Sequence, residues 1–132
     1  MHTSSLSAGE VTAFFARYGT EFDSCNWPAF VALYHEPALS VRGDGSVTCL
    51  MSRADARTFF ENVVAAWHLE GYQRFEARDL DVMPLGSRSL LATLDWHMLR
   101  GDGSLIRKWR QSYQLILVQQ EWQVLASTFH AP

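Results

Sequence analysis

The sequence predicts a single α+β domain over residues 1–132, in which a curved antiparallel sheet wraps around three helices of the N-terminal half and encloses a pocket. Three observations predict it. Apolar residues recur at helical spacing near the N-terminus and again after Ser52, and beyond Gly71 the period switches from 3.6 to 2. Several of the strand-like segments also exceed the usual length of about five or six residues, so the sheet has to curl, with bulges, into a cone.

Each element has its own signal. Ser7-Ala8-Gly9-Glu10 reads as a capping box, with Leu6 and Val11 placed as a hydrophobic staple, and Val11, Phe14, Phe15, Tyr18 and Phe22 form the apolar stripe of a helix running to about Cys25. After a break at Asn26-Trp27-Pro28, a second short helix runs through Leu33-Tyr34 to Pro37. Residues 39–42 and 47–51 are short strands joined at Asp44-Gly45, a pair suited to a type I′ turn. Ser52-Arg53-Ala54-Asp55 is a second capping box. It opens a third helix whose one face carries Ala56, Phe59, Phe60, Val63, Val64 and Trp67 until Gly71 stops it. Strands follow at 72–84, 89–100, 105–119 and 122–130. The pentapeptide Arg-Gly-Asp-Gly-Ser occurs at 42–46 and at 100–104, each time between strands, and both copies read as hairpin turns because neither leads into a helix that would hold an anion.

Composition narrows the function classes. With 132 residues and a net charge of -3, the chain supports one core and is no nucleic-acid binder by charge. Residues 1–9 have neither a basic nor an apolar signal-like region, and no run is long enough to span a membrane, so a soluble, cytoplasmic protein is expected. Cys25 and Cys49 lack ligand spacing, which predicts buried thiols without disulfide or zinc, and with no nucleophile elbow, glycine-rich nucleotide loop or metal-ligand cluster in the sequence no cofactor is implied. Five Trp and eight Phe exceed what a minimal core needs, and such aromatics commonly line pockets or subunit contacts.

A turn at Asp102-Gly103 sets Trp96 opposite Trp109, Asp95 opposite Arg110 and His97 opposite Lys108. One face then carries Leu90, Ala92, Leu94, Trp96, Trp109, Tyr113, Leu115 and Leu117, and the other Leu91, Thr93, Asp95, His97, Arg110, Ser112, Gln114 and Ile116. Both hold too much apolar surface for water. Helices are expected to cover one and a second copy of the chain the other.

Arg17-Tyr18 with Leu33-Tyr34, the strand turn at 101–103, and Trp122-Gln123-Val124 opening the last strand resemble the nuclear transport factor 2-like superfamily over nearly the whole chain. That superfamily includes ketosteroid isomerases, SnoaL-type polyketide cyclases, scytalone dehydratase and limonene epoxide hydrolase. The resemblance implies a cone whose concave side takes a small ligand and whose opposite side often forms a dimer. It also implies an oxyanion-binding place for Tyr18, as in ketosteroid isomerases. Their general-base aspartate maps onto Arg42 and their second acid near Gln114, neither of which can do that chemistry, so ketosteroid isomerase activity is disfavoured. Taking Gln114 as a pocket residue assigns the mixed face to the cavity, and leaves Trp96, Trp109 and Tyr113 to a homodimer interface.

The candidate catalytic residues are therefore Tyr18, Asp95 and His97, residue types that scytalone dehydratase uses, and the candidate ligand contacts are Arg110, Gln114, Trp67, Ser127 and Phe129. An Asp-Arg-Asp set like that of limonene epoxide hydrolase would need Asp79 or Asp81 beside Asp95 and Arg110. Two readings stay open. One is a cofactor-independent lyase, isomerase or hydrolase acting on a small, mostly apolar substrate; the other is a ligand-binding or dimeric assembly module.

Overall fold

The computed structural model describes residues 8–131, so the Ser7 cap and the Leu6 staple lie outside the described residues. The elements are α1 (Ala8–Asp23), α2 (Trp27–Val31), β1 (Tyr34–Val41), β2 (Val47–Leu50), α3 (Arg53–Leu69), β3 (Arg74–Gly86), β4 (Ser89–Leu99), β5 (Leu105–Val118) and β6 (Glu121–Phe129). They form one six-stranded sheet in the order β2-β1-β6-β5-β4-β3. The sheet is mixed, because β1 runs parallel to β6 while every other pair is antiparallel.

α1 buries Val11, Phe15, Tyr18 and Phe22, the stripe its spacing predicts, and packs against β3. It ends where Cys25 takes a positive φ of 56°. α2 is shorter than expected. It stops at Val31, and Tyr34 and His35 already belong to β1. Arg53 fixes that junction, since its guanidinium donates to Val31 O at 3.2 Å and Tyr34 O at 3.0 Å, tying the start of α3 to the entry of β1. Ser52 caps α3 by accepting from Asp55 N at 3.1 Å, as predicted. The main contacts of α3 are with α2, β1 and β2, so this helix stands over one end of the sheet and leaves a hollow beneath it.

Both Arg-Gly-Asp-Gly-Ser copies form the same turn. In each, the arginine N–H bonds the serine carbonyl, the second glycine N–H bonds the arginine carbonyl, and the aspartate Oδ1 accepts from the serine N at 2.9 Å and Oγ at 2.7 Å. The loop has three residues rather than the two expected, with Gly45 and Gly103 at φ 88° and 87°. A two-residue turn with both residues at positive φ does occur, at Gln119-Gln120 between β5 and β6. Beyond the second turn, a register shift between Met98 and Leu99 makes up for the extra loop residue. Trp96 therefore pairs with Trp109, Asp95 with Arg110 and His97 with Lys108, as the sequence count has it.

The faces are the reverse of the expectation. Leu94, Trp96, Tyr113 and Leu115 are buried beneath the helices, with Phe15 and Tyr18 of α1 against the Trp96 and Tyr113 rings. By alternation Asp95, His97, Arg110 and Gln114 lie on the convex side, only partly buried. Energetics favours this choice: an ion pair loses its hydration when buried, whereas indole and phenol groups can be enclosed once their few polar atoms bond one another. The aromatic patch taken as a dimer surface is thus the chain's own core. The cysteines also differ from expectation, Cys25 being half-buried and Cys49 exposed.

Candidate functional site

A cavity of about 900 Å³ opens between α1, α3 and the concave face of the sheet. Strand alternation builds its wall in rows. Tyr113 pairs with Ser127, and Ser127 with Ser40, so β5, β6 and β1 present these three side by side. Two residues further along β5 and β6, on the same face, come Gln111 and Phe129, directly paired, and Arg42, just past the end of β1, also lines the cavity. Trp109 follows on β5 and packs, tilted or edge-on, against Trp67 of α3, Phe75 of β3 and Phe129. Phe59 and Phe60 close the α3 side.

The polar groups at the inner end form a chain. Trp96 Nε1 donates to the Tyr113 hydroxyl at 2.7 Å, and the Tyr18 and Tyr34 hydroxyls are 2.6 Å apart. Burial holds all three phenols well above their ordinary pKa, with the neighbouring phenols adding to the shift on Tyr18. They stay protonated and neutral. Three phenols carry three protons, but only two contacts join them, Tyr34 to Tyr18 and Tyr18 to Tyr113, and each contact takes one proton; the bond from Trp96 brings a further proton and no acceptor. At least one phenol proton is left without a protein acceptor among the described residues.

More donors face the same space. Gln111, 4 % exposed, accepts from Trp109 Nε1 through Oε1 at 2.9 Å. An indole N–H can only donate, so this bond assigns the amide oxygen and leaves Nε2 as a donor on a residue that lines the cavity. The hydroxyls of Ser40 and Ser127, 6 % and 4 % exposed, make no hydrogen bond to protein among the described residues. Among those residues no carboxylate lines the cavity, whereas Arg42, Arg107, Lys108 and Arg110 all contribute to its lining.

Of the residues singled out from sequence, Tyr18, Trp67, Ser127 and Phe129 line this cavity. Asp95, His97 and Gln114 do not. Arg110 lends part of its length to the wall, but its guanidinium bonds Asp95 and Asp81, both at 2.9 Å. The Asp-Arg-Asp set therefore exists, on the outer face, with Asp81 largely in solvent, and it reads as a surface ion network. His130 also reaches the mouth, while its Nε2 lies 2.7 Å from Ser112 Oγ on the outer side. Sequence reasoning missed Tyr34, Ser40, Gln111 and Tyr113 as cavity residues. The 109-111-113 alternation was visible, and the signal that would have sided it inward is the presence of charged or imidazole groups at 95, 97 and 110 on the opposite face. Among the described residues no cluster of potential metal ligands occurs, and no helix is long and apolar enough to cross a membrane.

The family profile described as NTF2-like protein (DUF6841) matches residues 9–132. The chain belongs to that NTF2-like family. Solved structures agree on the fold of this NTF2-like chain. A protein of unknown function with a cystatin-like fold from Nostoc punctiforme PCC 73102 superimposes with a TM-score of 0.76 at 12% identity, covering 100% of this chain and 96% of that one. An NTF2-like protein of unknown function from Pseudomonas putida KT2440 gives 0.74 at 17% identity over 100% and 89% of the two chains. An NTF2-like protein with a cystatin-like fold from Novosphingobium aromaticivorans gives 0.74 at 17% identity over 92% and 79%. At such identities these likenesses speak for the NTF2-like cone alone. No curated protein matches the chain.

Proposed function

We propose that this NTF2-like protein binds a small, mainly apolar molecule in the cone, with a hydrogen-bond acceptor of that molecule, such as a ketone oxygen, held by the tyrosine cluster. The observation that carries the reading is the surplus phenol proton at the buried end of an aromatic cavity. A phenol proton without a protein acceptor is available to a ligand, and in surroundings this apolar the bond is worth more than the same contact in water. The aromatic wall supplies the apolar contact area, and the donor-only floor supplies orientation.

Binding fits the site better than turnover. Proton transfer from carbon calls for a base that titrates near neutrality, and the phenols are held far above that range. Asp95 and His97, the sequence-based candidates for that base, face the other way.

Equilibrium dialysis with acetylnaphthalene and with isopropylnaphthalene, which replaces the carbonyl by a group of similar shape, tests the reading. The ketone is expected to bind about tenfold more tightly, the worth of one well-placed buried hydrogen bond. Equal affinity for the two would show that the phenols are not reading the ligand.

A further inference from the structure

Resting on that reading, we infer that the ligand carries an anionic group, a carboxylate in its simplest form, at the end opposite its acceptor atom, and that Arg42 holds that group at the mouth of the cavity. The charges around the opening point this way. Among the described residues four basic side chains contribute to the lining and no acidic one does, although the chain as a whole has a net charge of -3. With Arg107 and Arg110 offset by carboxylate partners outside the lining, the positive charge left at this cleft with low-dielectric walls rests mainly on Arg42.

The four cations are not equivalent. Arg110 is committed on the outer face to Asp95 and Asp81. Arg107 is paired with Glu70 and lies 5.8 Å over the Trp109 ring. Lys108 falls between Arg107 and Trp109 on β5, so it leaves the strand from the opposite face and contributes to the lining only from there. Arg42 remains. It stands just past the end of β1, two residues beyond Ser40, lines the cavity and forms no ion pair within 4.0 Å among the described residues. It lies near Asp44, whose carboxylate is already occupied by the backbone and hydroxyl of Ser46.

Between Arg42 and the tyrosines the donors continue without an acid. Gln111, whose Nε2 is left as a donor by the bond from Trp109 to its oxygen, sits in the row with Phe129, and Ser40 and Ser127 follow in the next. An arginine backed by a primary amide suits a carboxylate, with the charge-assisted bond supplying most of the selectivity. The substrate class that fits both ends is an aromatic or alicyclic carboxylic acid with a ketone or hydroxyl at its far end.

Acetylnaphthoic acid, with ketone and carboxylate at opposite ends of the ring system, its methyl ester, and acetylnaphthalene would be titrated calorimetrically into the wild-type protein and Arg42→Gln. The acid is expected to bind the wild type about tenfold more tightly than the ester. Raising the salt concentration should erode that preference, and Arg42→Gln should abolish it while leaving the ester's affinity unchanged. Equal binding of acid and ester to the wild type, or a preference that survives in Arg42→Gln, overturns the role of Arg42 and leaves the cavity reading standing. If acetylnaphthalene and the ester do not bind either, the cavity reading fails and this inference with it. A thermal melt of Arg42→Gln matching the wild type shows that the comparison is made on folded protein.

Discussion

The hydroxyls of Tyr18 and Tyr34 meet at 2.6 Å in the wall of the cavity, joining α1 to the first residue of β1. Both rings are buried, and each touches Phe30 of α2. The bond therefore links three elements and the ligand space at once. Tyr18→Phe is expected to lower stability by about 1 kcal/mol, since it removes one partner of a buried pair and almost no volume. It should also weaken acetylnaphthalene binding several-fold. Urea denaturation and dialysis measure the two separately, and a stability loss with unchanged binding would confine Tyr18 to the core.

Trp109 stands in the cavity wall, so Trp109→Glu should abolish ligand binding and destabilise the chain by roughly 3 kcal/mol, the size expected when a large ring is lost and a charge takes its place. Its sedimentation behaviour should not change. Dissociation of an assembly on this substitution would restore the aromatic face as a subunit contact.

Asp23 provides a pH signature. Burial raises its carboxyl from 3.8 to about 6, against the opposing effect of bonds from the Tyr72 hydroxyl at 2.5 Å and Phe75 N at 3.1 Å. Because the folded-state value is raised, the folded chain holds this proton at pH values where the unfolded chain has released it. The resulting stabilisation is complete in acid and is lost as pH rises from about 4 to about 6. Asp23→Asn has no such titration. Its urea midpoint should therefore gain on that of the wild type across this interval, and parallel curves would count against the raised value.

The twin turns allow an internal control. Gly45 and Gly103 share φ near 88°, and a methyl group added at either would meet no atom closer than 3.9 Å. Gly45→Ala and Gly103→Ala should thus cost the backbone strain alone, about 1 kcal/mol each. A difference above about 1 kcal/mol in chemical denaturation would mean that the two turns are not energetically alike.

Much of this architecture was determined locally and could be read from the sequence. The stripe of α1, the Ser52 cap of α3, the switch of period after Gly71 and the pairing of Asp95 with Arg110 each depend on neighbours along the chain or across one hairpin. Such features follow from spacing and turn chemistry. The end of α2 at Val31 did not, because Arg53, more than twenty positions away, supplies the bonds that hold the chain where it turns into β1.

Only the tertiary structure decided which face of the sheet looks inward. Alternation sorts residues into two sets without saying which set is covered, and here each set mixed apolar and polar groups. The choice depends on which polar atoms find partners once the rings are enclosed: Trp96 found Tyr113 on the neighbouring strand, Tyr18 found Tyr34 on another element, and Trp109 found Gln111 on its own strand. With those bonds made, the aromatic face could be enclosed at little cost, while Asp95 and Arg110 kept part of their hydration outside.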